Sequence, residues 1–346
     1  MGSPELGIYT RYDTRGASSR YRYFMYEDAL RSGGFEPRFH YFYDNEYLRE
    51  LYSGRKDYPA LLRAWRRRRG DAAAIPAYSL IEYELFPFLN WRVDWHYLRK
   101  SRYVVNFDDN VWEKYARIPW LKHKFDRVAE HAAGVIAAND FLLEKVAKLN
   151  PRTIKIPTVP DVESYRCDKP KYDCFTVVWI GTPVTYVFLE EFTDTLRAMT
   201  RAVPGFELLA VASSTLKPLD GVRMRCLDWS QEAETEILCR SHAGIMPLSD
   251  TGFTRGKSAF KIIQYMAAGL PIIASPVGEN NLVVKPETGF LPRTPDEWCD
   301  ALRQLACDPE LYRRMSAASK QESAGYSLRR WAPILTEFLH NAYRNE

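Results

Sequence analysis

The sequence predicts an α/β protein made of two Rossmann-like domains, each built on a parallel sheet. Three observations carry this. Short apolar runs alternate along the chain with segments of helical periodicity, which is the pattern of repeated βα units. The 346 residues are enough for two separate cores. Several apolar runs end directly in small, polar loops, as strands do at the ligand-binding edge of an open sheet.

Residues 7–12 read as the first strand. It opens into Asp13-Thr-Arg-Gly-Ala-Ser-Ser19 and then a helix over 18–31. A strand, a Gly/Ser loop and a helix start can present backbone N–H groups to an anion, so Gly16, Ser18 and Ser19 are candidate contacts. A tight structural turn is the other reading. Arg15, Arg20 and Arg22 lie close enough in sequence to join such a site. Residues 35–43 predict a second strand and 44–51 a helix.

The segment around Leu61-Leu-Arg-Ala-Trp-Arg-Arg-Arg-Arg69 reads as a helix with Leu61, Leu62 and Trp65 facing in and Arg63, Arg66, Arg67, Arg68 and Arg69 facing out. That face is either simply solvated or a docking surface for an anionic membrane. Residues 73–78 predict a strand, and 81–88 and 91–100 a helix with an aromatic-lined groove. Residues 103–107 predict another strand, ending in Asp108-Asp109-Asn110. These carboxylates either cap the next helix or, with Glu84, bind an acceptor hydroxyl and take its proton. Helices over 122–133 and from Asn139 to residue 148, with strands over 133–138 and 153–157, complete the first half.

A strand over 175–180 starts the second half and runs into Gly181-Thr-Pro183, where Thr182 caps a helix and Pro183 opens it. Strands over 207–212 and 222–225 and a helix over 231–239 follow. Next comes GIMPLSDTGFTRGKSAFKIIQYMAAGLPIIASPVGENN, residues 244–281. It predicts a strand, a loop bearing Asp250, Arg255 and Lys257, a helix over 259–268 capped by Ser258, and a strand over 271–275. The last strand ends in a loop with Gly278, Glu279 and Asn280. Lys261 and Gln264 share one helix face, directed toward the basic loop. Three cations near a helix start between two buried strands point to a phosphate or diphosphate site. Helices over 295–306, 309–323 and 327–343 end the chain.

Composition excludes other classes. A hydrophobic share of 46% with 27% charged residues is that of a soluble globular protein. A net charge of +4, without a reader motif, argues against nucleic acid. No apolar run is long enough to span a bilayer, the N-terminus shows no leader pattern, and residues 1–5 read as partly a cloning remnant. The six cysteines form no Cys-x-x-Cys pair and the histidines no His-Glu-x-x-His pattern, so free thiols in a reducing cytoplasm and no metal are expected.

The order Arg-Gly-Lys, Lys-x-x-Gln-Tyr-Met-Ala-x-Gly-x-Pro, Ala-Ser-Pro-x-Gly-x-Asn and Thr-Gly-Phe-Leu resembles the nucleotide-sugar domain of family 4 retaining glycosyltransferases with the GT-B fold. The resemblance implies two Rossmann-like domains with parallel sheets facing across a cleft. They would be an acceptor-side domain over 1–165, a nucleotide-sugar domain over 166–325, and a last helix over 326–346 packing back on the first. It implies transfer of a hexose or related sugar from a UDP- or GDP-linked donor, with retention, to a glycan or lipid-linked acceptor in polysaccharide biosynthesis. It further implies no cofactor or metal and a cytoplasmic location, peripheral on the inner face of a membrane. Arg255, Lys257 and Lys261 would surround the diphosphate, Asp109 would serve catalysis, and Gly181 and Thr182 would join the donor contacts.

There are departures from the pattern. Gln264 and Gly256 stand where many members carry glutamates, which leaves Asp250 to supply the acidic function. The Arg and Lys that commonly follow the strand at 175–180 are missing. A non-catalytic nucleotide-sugar or glycan-binding protein, or a GT-B-fold epimerase, is the alternative.

Overall fold

The computed structural model describes residues 2–55, 57–212 and 216–344. The chain divides into two compact units, Met1–Thr158 with Arg255–Ser258 and Leu328–Glu346, and Val159–Thr254 with Ala259–Ser327. Each unit carries one six-stranded sheet with parallel pairing throughout.

In the first unit the strands are β1 Glu5–Tyr12, β2 Glu36–Tyr43, β3 Tyr78–Glu82, β4 Arg102–Phe107, β5 Gly134–Ala137 and β6 Thr153–Lys155. Their order is β2-β1-β3-β4-β5-β6, so the direction of winding reverses between β1 and β3. Ile8 lies beside Leu80, and Leu80 beside Val104, all buried. The C-terminal helix, Leu328–Tyr343, belongs to this unit: Tyr343 donates to the Ser79 carbonyl at 2.7 Å, and a ring nitrogen of His340 lies 2.8 Å from the Gly33 carbonyl oxygen.

The second unit holds β7 Phe175–Ile180, β8 Phe206–Ala212, β9 Met224–Asp228, β10 Ala243–Met246, β11 Ile272–Ala274 and β12 Gly289–Phe290. The order β12-β11-β10-β7-β8-β9 puts its reversal between β7 and β10. In open sheets of this kind, the crevice at the carboxyl ends of the strands flanking the reversal is where ligands bind.

Several expectations are corrected. The single helix over 18–31 is broken into Ala17–Arg22, a 3₁₀ turn Phe24–Tyr26 and Glu27–Ser32. Burial of Arg22 and Tyr23 outweighs local helix propensity there. The helix Tyr58–Ala73 runs beyond its expected end, and the strand falls at 78–82 rather than 73–78. The buried stripe of that helix is Ala60, Ala64, Arg68 and Ala72, at four-residue spacing. Arg68, expected outside, is 1% exposed, while Leu62, expected inside, is 49% exposed.

Residues 83–88 are not helical. Tyr83 and Phe88 take φ values of 62° and 66°, and Asp94 accepts the N–H groups of Leu85 and Phe86 at 2.6 and 3.0 Å. Ser258 does not cap the helix Phe260–Ala267; Ala259, at φ 53°, precedes it in the left-handed region. Cys167 and Cys239 form a disulfide, so they are not free thiols, whereas Cys174, Cys226, Cys299 and Cys307 are free.

Candidate functional site

In the first unit, the predicted Gly/Ser loop sits at the reversal point between β1 and β3. A Cβ on Gly16 would lie 2.2 Å from the Tyr12 Cβ, so this turn requires glycine. Neither Ser18 nor Ser19 presents its hydroxyl proton outward. Ser18 donates to Glu82 Oε1 at 2.8 Å, and Ser19 to Glu82 Oε2 at 2.6 Å. Glu82 also accepts the Arg11 N–H at 2.7 Å, and Ser19 Oγ accepts the Tyr12 N–H at 3.0 Å. Sequence reasoning missed Glu82; its signal was an acidic residue ending the apolar run Ser79-Leu80-Ile81. Arg22 is buried and spent on Asn106 Oδ1 at 2.7 Å, Thr158 Oγ1 at 2.9 Å and the Ile156 carbonyl at 3.1 Å. The Arg15 backbone N–H donates to Asn45 Oδ1 at 3.0 Å, and the Arg20 guanidinium stacks on Tyr21.

Glu84 was expected to reach an acceptor, but it is enclosed. Tyr115 donates to it at 2.9 Å, and the Lys124 ammonium lies 2.7 Å from it and 2.8 Å from Asp94 Oδ2. Burial works against the charge on Lys124, but the two carboxylates outweigh it and hold the ammonium above its usual value. With every polar partner internal, Glu84 builds the segment after β3 instead of facing a substrate.

Asp108 follows β4, is buried, and accepts the Tyr83 phenol proton. Burial, with a further push from neighbouring Asp109, drives its carboxyl up to about 7. Asp109 is more open and pairs with Lys257 at 4.0 Å. The short segment Arg255–Ser258, counted in this unit, is held where Asn139 Nδ2 donates to the Gly256 carbonyl at 2.8 Å. Arg255 in this segment is exposed.

In the second unit, the loop after β7 is shaped by close packing. A Cβ on Gly181 would lie 2.4 Å from the Trp179 ring. Thr182 and Thr185 form a capping box at the start of Pro183–Glu190, as the sequence predicts. Lys261 lies over the Trp179 ring, 4.9 Å from its centroid. The structure therefore brings Lys261 beside the loop of Gly181 and Thr182, through Trp179.

Gln264, expected to look toward the basic loop, is buried and donates to Glu234 Oε1 at 2.8 Å; Glu234 also accepts the Trp229 indole N–H. Glu234 was missed because it lies on another helix, Gln231–Arg240. Asp250 is exposed in the loop after β10. Gly278 has φ 54°, Glu279 is buried, and Asn280 donates to the Ser275 carbonyl at 3.0 Å. Among the described residues no group of three or more His, Cys, Asp or Glu is placed to hold a metal.

Residues 175–308 match the family model described as "Glycosyl transferases group 1". That stretch is similar to the group 1 glycosyl transferases. It spans β7 to β12 and carries the Gly181 loop, Lys261 and Gln264. No curated protein matches the chain by sequence.

Solved structures match over nearly its whole length. A sucrose-phosphate synthase from Thermosynechococcus elongatus superposes with a TM-score of 0.69 at 15% identity, covering 98% of this chain and 99% of that one. HepE from Anabaena, in complex with UDP and glucose, gives 0.69 at 12% identity, covering 97% and 99%. A glycosyltransferase from Rickettsia africae gives 0.68 at 11% identity, covering 99% and 100%. The fold around the matched stretch is thus GT-B, as the motif order implies.

Proposed function

We propose that the protein is a retaining glycosyltransferase that moves a hexose or related sugar from a UDP- or GDP-linked donor to a hydroxyl of a glycan or lipid-linked acceptor. The observation that carries this reading is the group 1 domain match over the unit where Lys261 stands beside the Gly181–Thr182 loop. Leaving of a nucleoside diphosphate builds up negative charge, and a fixed cation next to it lowers the barrier. Lys261 is assigned that role within the second unit. The nucleotide sugar is the substrate, and the reaction needs no resident cofactor or metal.

Incubation with labelled UDP- and GDP-hexoses tests the reading, and release of the nucleoside diphosphate is the expected result. Lys261→Ala should lower turnover about a hundredfold while the fold persists. A near-normal rate in that variant removes the phosphate assignment. Tight donor binding without turnover would instead favour a non-catalytic binding protein. That reading draws on Gln264 being sequestered by Glu234 where a carboxylate would otherwise face the donor.

Membrane contact is part of the same proposal, with the helix Tyr58–Ala73 as its surface. Arg68 and Arg67 are taken up by the sheet: Arg67 donates to the Phe42 carbonyl at 2.8 Å and stacks on Tyr41. Exposed Arg66 and Arg69, with exposed Arg63 in a surface pair with Asp57 at 3.7 Å, lie on the helix that bears exposed Tyr58 and Leu62 and are offered to an anionic bilayer at a membrane's inner face. No described helix is long and apolar enough to cross a membrane. Arg63→Glu/Arg66→Glu should abolish co-sedimentation with phosphatidylserine vesicles at low salt; equal sedimentation of wild type and variant discards this surface.

A further inference from the structure

We propose that Phe88 and Trp120 form a preorganised aromatic tip that inserts into the interface of an anionic bilayer. The partner class rests on the peripheral-membrane part of the reading above and deepens it, on loops other than the helix Tyr58–Ala73. The geometry lies wholly within the first unit.

Large aromatic side chains are mostly buried in folded chains, because each takes a large apolar area out of water. Trp120 is nevertheless 66% exposed and Phe88 49% exposed. Phe88 follows β3, and Trp120 lies between the helices Trp112–Tyr115 and Lys124–Glu130. Their two loops are joined, since Asn90 Nδ2 donates to the Trp120 carbonyl at 2.9 Å. Phe88 also has φ 66°, a left-handed conformation that a bulky side chain keeps only where its surroundings impose it.

Those surroundings centre on the buried cluster of Lys124, Glu84 and Asp94. Lys124 donates to the Phe86 carbonyl at 2.6 Å, and Asp94 accepts the N–H groups of Leu85 and Phe86. The Phe88 N–H donates to the Tyr115 hydroxyl at 2.8 Å, and the proton of that hydroxyl goes to Glu84. With its backbone tied down in this way, Phe88 gives up little conformational freedom on docking, which favours association.

Charge around the tip selects the partner. Trp120 stands in Arg117-Ile-Pro-Trp-Leu-Lys122, apolar residues bracketed by two cations, and Arg92 follows Phe88 by four residues. Arg92, Arg117 and Lys122 are exposed, and none forms an ion pair among the described residues. His123 and Arg127, further along the chain, are paired with Asp126 and Glu130. Glu113 is the single carboxylate among residues 111–123. Exposed rings beside unneutralised cations fit the boundary of an anionic bilayer, where the rings meet acyl chains and the cations meet headgroups.

The test mixes the full chain with vesicles of phosphatidylserine and phosphatidylcholine brominated on its acyl chains. Insertion should quench part of the wild-type tryptophan fluorescence. The quenching should persist at about 0.5 M salt, where exposed charges are screened beyond a few ångströms. Trp120→Ala should lose this quenching and weaken salt-resistant co-sedimentation by about tenfold. Phe88→Ala should weaken it in the same direction, and Arg63→Glu/Arg66→Glu should leave the high-salt quenching in place. Nucleoside diphosphate release from a labelled donor is measured without vesicles, and there Trp120→Ala should match wild type.

Wild-type fluorescence unchanged by the brominated vesicles overturns the proposal, as does equal quenching in Trp120→Ala. A dimer in sedimentation equilibrium that Trp120→Ala dissociates also overturns it, because a second copy would then cover the tip. So does a tenfold slower vesicle-free release in Trp120→Ala, which would make the ring a substrate contact. A wild type that inserts through Trp120 but releases no nucleoside diphosphate sinks the transferase reading and upholds the tip.

Discussion

Asp108 shows how one side chain can be chemically different from its neighbour in sequence. Burial lifts its carboxyl to about 7, while Asp109 lies open enough to pair with Lys257. Between about pH 4 and pH 7 the folded protein keeps a proton on Asp108 that the unfolded chain has released. The unfolded state then binds fewer protons, so stability falls as pH rises through this window and levels off above it. Asp108→Asn keeps an oxygen for the Tyr83 phenol and removes the titration. The variant should gain on wild type by up to about 4 kcal/mol at pH 8 and by little at pH 4. Urea midpoints at the two pH values measure this; an equal gap at both would show that Asp108 is ionised in the fold. Nothing in Asp-Asp-Asn distinguishes the two carboxylates, because the distinction is made by Tyr83 and by burial.

Among the elements, the helix Tyr58–Ala73 departs most from its expected orientation. Its sequence offers Leu61, Leu62 and Trp65 as the apolar face, yet the helix turns Arg68 to the sheet. The Arg68 guanidinium donates to the carbonyls of Thr10 at 2.6 Å and His40 at 3.0 Å, and lies over the Tyr9 and Phe42 rings. Burial lowers its pKa to about 10, and the charge of Asp71 offsets only part of that. Aromatic faces and backbone oxygens of β1 and β2 hold the cation through Nη2, while its buried Nε and Nη1 meet no hydrogen-bond partner among the described residues; the carbonyl partners lie 28 and 58 residues away in the chain. Periodicity treats every arginine as solvent-facing and so could not find this one. Arg68→Ala should cost about 2–4 kcal/mol, whereas Arg66→Ala should change stability by less than about 0.5 kcal/mol. Thermal denaturation of the two variants checks it; equal midpoints would mean that Arg68 is not anchored. The strands were more legible: β7 falls on 175–180 as expected, because an unbroken apolar run bounded by polar residues has few other fates.

At the scale of the whole molecule, repeated βα alternation made two parallel sheets legible, and the sheet order then places the loops at 13–19 and 181–182 beside the two reversal points. The Cys167–Cys239 disulfide was not legible, because its partners are separated by 72 residues and share no motif. It ties the stretch before β7 to the helix that carries Glu234. Closing a loop of that length should stabilise the second unit by about 2–4 kcal/mol. Reductant, or the Cys167→Ala/Cys239→Ala pair of substitutions, should lower its unfolding midpoint accordingly. An unchanged midpoint under both treatments would remove the bridge from the account of stability.

The sequence alone determined the class of fold, the position of most strands and the loops that follow them. These depend on local apolar runs and on turn residues whose preferences act over a few positions. It also determined the resemblance that the group 1 match later met on residues 175–308. Tertiary structure decided which polar groups in those loops are spent and which are available. Glu84 is consumed by Lys124 and Tyr115, Gln264 by Glu234, and the two serine protons by Glu82. A hydrogen bond is a pairwise property, and each of these partners is at least 30 residues away in the chain, where no local pattern reaches.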